Sequence, residues 1–270
     1  MQRAAKAPGA AGQTRERIGQ YLERLGLKGL DIDAHLAWVT KNQASELQAA
    51  ERLLAQAAGI KRERSIEWRT KGSGLKERKS MATFDWNFQP KLDRRVVENL
   101  FTLDFVERHD DLLITGKCGT GKSHILKALV IKGCEQEWMV RYARCVDLID
   151  HLYAGLADGS YQRRINSWCR PAFLVIDDVG LGQLKRRDDE PTAAHMLFTL
   201  LDRRHSNAST AISSNIKLSA WGRYLSDATL AAAVLDRLAA TCIRIDIDGP
   251  SYRQFLARQR AEKQDAKQSK

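Results

Sequence analysis

The chain has 270 residues, of which 43% are hydrophobic, so it is long enough for one α/β domain and a smaller helical appendage. It contains no run of 18 apolar residues, and Met1–Gly12 has no apolar signal core, which predicts a cytoplasmic protein without a membrane span. Its five cysteines form no CxxC pair, so we expect reduced thiols rather than a zinc site or a disulfide framework.

The net charge of +11 is unevenly distributed along the chain. Residues 1–83 carry 16 Lys and Arg against 9 Asp and Glu, and residues 251–270 carry 6 against 2, whereas residues 84–250 are balanced at 22 of each. Basic flanks on a neutral domain favour a polyanionic partner such as DNA, held by counterion release. Solvated basic tails without a partner are the alternative.

The N-terminal third is predicted to be helical after a short disordered tail at residues 1–13. Residues 14–60 carry apolar residues at helical spacing, which predicts a small helical domain whose first helix starts at Thr14 and whose third ends at Gly59. The pattern does not decide between a DNA-binding bundle and an oligomerisation arm. Residues 61–83 are rich in Lys and Arg and are interpreted as a basic linker or a phosphate-contacting segment.

The clearest motif is a complete GxxxxGK[ST] phosphate loop between a predicted buried strand and a predicted helix. Its glycines let backbone N–H groups converge on the β-phosphate at the N-terminus of that helix. Lys122 is expected to reach the β- and γ-phosphates, and the Ser123 hydroxyl to bind Mg²⁺. The residues predicted to contact ATP are Gly116, Lys117, Cys118, Gly119, Thr120, Gly121, Lys122, Ser123 and His124.

A second nucleotide-binding element is the apolar run Phe173–Ile176, which ends in two aspartates as a Walker B strand does. Asp177 is expected to hold the Mg²⁺ water shell, and Asp178 to orient the attacking water. A further predicted strand ends at Asn215, which is placed to touch the γ-phosphate or the lytic water; a strand-end turn is the alternative. Together these elements indicate ATP and Mg²⁺ as cofactors.

The order of the predicted elements defines a fold class. Five strands alternate with helices, which predicts a parallel, doubly wound sheet with helices on both faces. Residues 84–257 are therefore predicted to form an α/β nucleotide-binding domain, and residues 258–270 a basic disordered tail. Aromatic residues at the start of this domain are candidates for the wall of an adenine pocket, although core packing is the commoner role. They are Phe84, Trp86, Phe88, Phe101 and Phe105.

This arrangement resembles the AAA+ ATPases, and specifically the IstB/DnaC branch, whose IstB members are helper ATPases of insertion-sequence transposases. The similarity covers about residues 84–255. The stretches that carry it are Thr102–His109, Ser213–Asn215, Ser219–Gly222, Leu230–Leu238 and Gly249–Arg253. The resemblance implies an AAA+ P-loop domain with a five-stranded parallel sheet, and the N-terminal helices match the family only in general character.

The resemblance assigns roles to three polar residues. Asn215 is similar to the sensor-1 residue, Arg237 to an arginine finger that reaches the γ-phosphate of a neighbouring subunit, and Arg253 to the sensor-2 arginine of the same subunit. Arginines in such places stabilise charge on the transferred phosphoryl group. A finger that acts in trans implies a homo-oligomer, either a ring or a filament, whose assembly is linked to ATP binding.

Two departures from the family pattern concern the nucleotide site. The family's Walker B normally ends in Asp-Glu, and the shorter Asp178 retracts the carboxylate by roughly 1.5 Å, which can lower the rate about 10²-fold. ATP and Mg²⁺ binding should survive this change, whereas hydrolysis is expected to be slow. Lys117 and Cys118 replace the usual Pro-Pro, which adds a charge and a thiol near the phosphates.

The resemblance also places an extra helix, at about residues 146–170, towards the central passage of an assembly. Two arginines of this helix are the better-placed candidates for DNA contacts. Three basic residues in the later loop 185–187 are the alternative, but the acidic residues 188–190 that follow can neutralise their charge. The candidate DNA-binding residues are Arg163, Arg164, Lys185, Arg186 and Arg187.

Together with the basic flanks, the resemblance implies an ATP-dependent DNA-binding AAA+ protein that assembles on double-stranded DNA, selects target DNA and stimulates an integrase-type transposase. ATP hydrolysis is expected to disassemble the ring or filament. Two alternatives stay open: a replicative helicase loader resembling DnaC, and a nucleotide-gated DNA-binding module with little turnover, which Asp178 favours.

Overall fold

The computed structural model describes residues 10–184, 190–239 and 242–268. It divides the chain into two compact units, Met1–Trp68 and Arg69–Lys270. No helix within these described ranges is long and apolar enough to cross a bilayer.

The described part of the first unit is helical. Its helices are α1 (Ala10–Arg24), α2 (Ile32–Lys41) and α3 (Glu46–Gly72), of which α3 continues into the second unit. The Asp31 side chain caps α2 by accepting a hydrogen bond from the Ala34 amide at 3.0 Å. Two predicted helix ends were wrong: α1 begins at Ala10 and not at Thr14, and α3 continues past Gly59 to Gly72. A single glycine destabilises a helix by only about 1 kcal/mol, and the following residues are good helix formers without proline.

The second unit contains a five-stranded sheet and the remaining helices. Its strands are β1 (Asp111–Gly116), β2 (Val140–Arg144), β3 (Phe173–Val179), β4 (Ser209–Ser214) and β5 (Cys242–Ile247). Its helices are α4 (Arg94–Leu100), α5 (Asp104–Glu107), α6 (Lys122–Glu135), α7 (Cys145–Ala157), α8 (Tyr161–Cys169), α9 (Ala193–Arg204), α10 (Trp221–Tyr224), α11 (Ala228–Ala239) and α12 (Tyr252–Gln268). Helix α12 replaces the disordered tail predicted from residue 258, because this segment lacks Gly and Pro and is rich in Ala, Arg, Gln and Lys.

The sheet is entirely parallel, with the strand order β2-β3-β4-β1-β5, which confirms the predicted fold class. Alternate residues of the central strands enter two separate cores, so that Leu113 and Ile212 pack on one face while Leu112 and Ala211 pack on the other. A parallel sheet covered on both faces needs such continuous apolar strands. The carboxyl ends of β1, β3 and β4 consequently meet at one edge, where the predicted site residues lie.

A buried arginine secures the opposite edge of the sheet. Arg204, at the end of α9, is 1% exposed, and burial lowers its pKa to about 10. Its guanidinium donates hydrogen bonds of 2.5–3.2 Å to Oγ1 of Thr210 and to the carbonyl oxygens of Trp168, Cys169, Pro171 and Ser209. These bonds join the end of α8 to the starts of β3 and β4.

Arg204→Met is therefore expected to lower the free energy of unfolding by about 3–5 kcal/mol, because buried carbonyl oxygens lose their donor. Urea denaturation measures the change. The matched control is Arg203→Met, which removes an exposed arginine that bonds to Asn166 and Gln162 at 3.1 and 3.3 Å. Its expected effect is below about 1 kcal/mol, and equal effects of the two variants would contradict the assignment.

Candidate nucleotide site

The phosphate loop joins β1 to α6, in the strand–loop–helix context that the motif predicts. Gly116, Gly119 and Gly121 have φ angles of 151°, 81° and 107°, which residues with a side chain rarely adopt. A Cβ atom at Gly121 would lie 2.8 Å from the Phe84 ring, and one at Gly119 would overlap the Ser251 side chain. The glycines therefore shape a tight loop that leads into the positive N-terminus of α6, an arrangement suited to an anion.

Lys122 lies at the centre of this loop. Its Nζ donates hydrogen bonds to the carbonyl oxygens of Gly116 and Lys117, at 2.7 and 2.8 Å, and the residue is 3% exposed. Burial lowers the pKa of the Lys122 ammonium, although the nearby Asp177 and Asp178 act in the opposite direction. A phosphate bound in the loop would restore electrostatic stabilisation to this charge.

Asp177 is fully buried at the end of β3 and is held by several donors. Its Oδ1 accepts hydrogen bonds from Ser123 Oγ at 3.1 Å, from the Asp178 amide at 3.0 Å, and from Ser213 Oγ. A carboxylate beside a serine hydroxyl is a set of hard oxygen donors, which is the type that Mg²⁺ prefers. The residues present therefore fit Mg²⁺.

Asp178 and Asn215 meet across the neighbouring strands β3 and β4. The Asn215 side-chain amide donates to Asp178 Oδ1 at 2.9 Å, and the Cys118 thiol lies 3.6 Å from Asn215 Oδ1. Asp178 has a φ of 62°, in the left-handed region that Asp and Asn enter more readily than most residues. This backbone conformation is therefore compatible with the short aspartate side chain at residue 178.

A cavity of about 390 Å³ opens beside the phosphate loop. Phe84, Phe88, Tyr252 and Leu256 contribute its apolar lining, and the Phe88 ring lies 5.0 Å from that of Tyr252. The lining also includes Lys122, Asp178 and Asn215 and polar atoms of the loop, so one concavity offers apolar walls and a phosphate site. Two of the predicted wall residues, Phe84 and Phe88, thus line the cavity, whereas Trp86, Phe101 and Phe105 belong to or pack against the hydrophobic core.

Arg253, the residue similar to a sensor-2 arginine, lines the same cavity. Its exposed side chain belongs to the first turn of α12, and the neighbouring Tyr252 amide donates to the Gly119 carbonyl oxygen at 3.0 Å. The start of α12 is thereby tied directly to the phosphate loop. A motion of this helix would change the position of Arg253 relative to the loop.

Arg237 does not line this cavity. It lies on α11, where Nη2 forms an ion pair of 3.0 Å with Asp202 Oδ1 and the guanidinium is 6.0 Å from the centre of the Phe198 ring. The side chain is 43% exposed. Arg237 therefore lies outside the cavity that contains the phosphate loop, and its side chain is accessible to another molecule.

The candidate DNA contacts on α8 differ in their surroundings. The Arg163 side chain is exposed, whereas Arg164 is engaged in the turn between α7 and α8. Arg164 donates to Asp158 Oδ2 at 2.6 Å, to the His151 carbonyl oxygen at 3.0 Å and to Ser160 Oγ at 2.7 Å. We therefore assign Arg164 a structural role in this turn. The loop candidates Lys185, Arg186 and Arg187 lie outside the described residues.

Sequence reasoning missed two residues that contact Asp177. Ser213 Oγ donates to one carboxylate oxygen of Asp177, and the Tyr142 hydroxyl donates to the other at 2.7 Å. Both residues lie on strands that flank β3. No local pattern distinguishes these two residues, because the order of the strands in the sheet decides which side chains face Asp177.

Comparison with known proteins agrees with this site. The family model of the IstB-like ATP binding protein matches residues 21–261. The ATP-binding protein of insertion sequence IS5376 from Geobacillus stearothermophilus is 31% identical over 252 residues, which cover 93% of this chain and 98% of that protein. The ATP-binding protein of insertion sequence IS21 from Pseudomonas aeruginosa is 30% identical over 234 residues, which cover 86% of each chain.

Solved structures support the fold alone. AMPPCP-bound DnaA from Aquifex aeolicus has a TM-score of 0.52 and 18% sequence identity, and the match covers 64% of this chain and 51% of DnaA. A DNA replication initiation factor gives a TM-score of 0.50 with 19% identity, over 62% of this chain and 49% of that protein. The matched region thus spans about half the length of these two proteins, and both share the AAA+ P-loop fold with this chain. The family match over most of the chain, together with the two insertion-sequence relatives, shows that this protein belongs to the IstB-like ATP binding family.

Proposed function

We propose that this protein is an ATP-hydrolysing AAA+ regulator that assembles on double-stranded DNA and stimulates an integrase-type transposase. The observation that carries the proposal is the meeting of Lys122, Asp177, Asp178 and Asn215 at one edge of the sheet. This site occurs in a chain whose relatives are ATP-binding proteins of insertion sequences. The basic regions on both sides of the nucleotide domain support DNA as the polyanionic partner.

In the proposed reaction, the side chains of one subunit bind ATP and prepare the attacking water. The loop amides and Lys122 hold the β- and γ-phosphates. Ser123 and Asp177 are the residues that would hold Mg²⁺, and the bound ion would supply positive charge near the phosphate oxygens. Asp178 orients the water and accepts its proton, and the hydrogen bond from Asn215 fixes the carboxylate for this task.

A second subunit is proposed to complete the site through Arg237. The exposure of this residue and its position outside the lining of the nucleotide cavity support a contact in trans. An arginine that reaches the γ-phosphate of a neighbour links ATP binding to assembly, because the subunit interface is stabilised only when nucleotide is present. Loss of the γ-phosphate then weakens the interface and disassembles the oligomer.

The DNA contact is proposed to involve the exposed Arg163 and the basic regions at both ends of the chain. Within the described residues, the exposed Arg163 has no hydrogen bond or ion pair to lose when it meets a phosphate, in contrast to Arg164. Selection of target DNA belongs to this proposal as well. We propose that the transposase binds the oligomer assembled on DNA, because that assembly would mark a target site.

Sedimentation with a short DNA duplex tests this function. We expect ATP and Mg²⁺ together with duplex DNA to produce a fast-sedimenting assembly, and we expect ADP to leave the protein slow. Lys122→Ala should abolish the ATP-dependent change, because the phosphates lose their central cation. An ATP-bound monomer that sediments identically with and without DNA would contradict the proposal.

A nucleotide-gated DNA-binding module with little turnover is the second candidate, and the short side chain of Asp178 favours it. Such a module also assembles in an ATP-dependent way, but it predicts that substitution of Asp178 leaves the turnover rate unchanged.

A replicative helicase is the alternative partner to the transposase. Reconstitution with the cognate transposase or with a replicative helicase distinguishes these partners, and the insertion-sequence relatives favour the transposase.

A further inference from the structure

The aromatic hydroxyl of Tyr142 contacts the buried carboxylate that is proposed to hold Mg²⁺. Tyr142 lies on β2, where Arg144 pairs with Asp177 of β3, so Tyr142 is two residues before the partner of Asp177. Side chains in such diagonal positions on one face of a sheet lie within reach of each other when one is long. The Tyr142 hydroxyl accordingly donates to Asp177 Oδ2 at 2.7 Å.

With this hydrogen bond, both oxygen atoms of the Asp177 carboxylate accept hydrogen bonds from the protein. Asp177 Oδ1 already accepts hydrogen bonds from Ser123, Ser213 and the Asp178 amide. Those bonds hold one oxygen, and the bond from Tyr142 holds the other. A carboxylate that is held at both oxygens has less freedom to rotate, so its orientation is set before a metal ion arrives.

The backbone of Tyr142 is itself fixed by the segment that follows α3. Its amide donates to the Ser73 carbonyl oxygen at 2.7 Å, and a Cβ atom at Gly74 would lie 2.9 Å from the Tyr142 carbonyl oxygen. Ser73 is fully buried, and its Oγ donates to the Thr70 carbonyl oxygen at 2.7 Å. We call Ser73 and Gly74 the clip. It covers the outer edge of β2 and determines where Tyr142 lies.

We propose that Tyr142 is a positioning residue for the Mg²⁺ site. Its hydroxyl holds the Asp177 carboxylate in the orientation that receives the metal, and the clip holds the strand from which Tyr142 projects. The inference rests on the proposed ATPase function, because it names a determinant of metal affinity in the same site. Tyr142 does not line the nucleotide cavity, so its action passes through Asp177.

Tyr142→Phe removes the hydroxyl and keeps the ring. With a non-hydrolysable ATP analogue, titration with Mn²⁺ followed by electron paramagnetic resonance should give a Kd for the metal raised about tenfold. Affinity for a fluorescent ATP analogue in EDTA should stay unchanged, because the phosphate loop and aromatic walls are intact. The Mg²⁺ concentration for half-maximal turnover should rise by the same factor.

Tyr153→Phe is the matched control. Tyr153 is a buried tyrosine of α7 outside the lining of the nucleotide cavity, and its hydroxyl donates to the Pro191 carbonyl oxygen at 2.8 Å. Its loss should leave the metal Kd unchanged. Gly74→Ala is the second test variant, since the added methyl group displaces the clip from Tyr142 and should also raise the metal Kd.

The outcomes separate this inference from the proposed function. A folded Tyr142→Phe protein with the metal Kd of the native chain would overturn the role of Tyr142. If Tyr142→Phe does not fold, Gly74→Ala decides, with a raised Kd supporting the inference and an unchanged Kd overturning it. A native chain that binds neither the analogue nor Mn²⁺ would instead refute the ATPase proposal itself.

Discussion

Arg237→Ala is expected to lower DNA-stimulated ATP turnover by about 10³-fold while leaving the affinity of an isolated subunit for ATP unchanged. The reason is that an arginine finger stabilises charge that develops on the γ-phosphate in the transition state, an effect worth about 10³–10⁵ in rate. Arg237 lies outside the cavity of its own subunit, so nucleotide binding by that subunit does not need it. Steady-state turnover with and without DNA, together with equilibrium binding of a fluorescent ATP analogue, measures both quantities.

The control for this prediction is the acidic partner of Arg237. Asp202→Asn breaks the same ion pair of 3.0 Å but leaves the guanidinium in place. Turnover should be retained in this variant, because the contact in trans needs the arginine and not its resting partner. Mixing Arg237→Ala subunits with Lys122→Ala subunits adds a complementation test, since one interface then combines an intact loop with an intact finger. Equal losses in Arg237→Ala and Asp202→Asn would show that the ion pair matters only for the fold.

Asp178→Asn is expected to reduce kcat by about 10²- to 10³-fold, because general base catalysis by a positioned side chain contributes on this scale. The amide keeps nearly the volume of the carboxylate and can still accept the hydrogen bond from Asn215. ATP binding should therefore survive, as should ATP-dependent assembly on DNA. Single-turnover hydrolysis with radiolabelled ATP separates this chemical step from nucleotide binding. Unchanged turnover would support the nucleotide-gated module in place of the enzyme.

Asp178→Glu examines whether the shorter side chain limits the native rate. Restoring the missing methylene should raise single-turnover hydrolysis by up to about 10²-fold, the scale of rate lost through a misplacement of about 1 Å. The left-handed backbone at residue 178 opposes this gain, because a longer side chain tolerates that region less well than Asp. A lower rate in Asp178→Glu than in the native chain would show that the site is built around aspartate.

The helix boundaries illustrate where local sequence information was insufficient. Gly59 predicted a helix end, but α3 continues through it, and the basic segment after residue 258 forms part of α12. Glycine and charge are statistical signals of helix ends and of disorder, and each changes the free energy by only about 1 kcal/mol or less per residue. The neighbouring helix formers outweighed them in both places.

By itself, the sequence determined the phosphate loop, the Walker B aspartates and the alternation of strands and helices, because these depend on spacing within single segments. Its motifs also indicated the IstB-like family, which the family model confirms. Only the tertiary structure decided which distant side chains meet, as in the contact of Tyr142 with Asp177 across 35 residues and the engagement of Arg164 by Asp158 and the α7 backbone. The physical reason is that strand order and helix packing arise from burial of apolar surface over the whole domain, which no local pattern encodes.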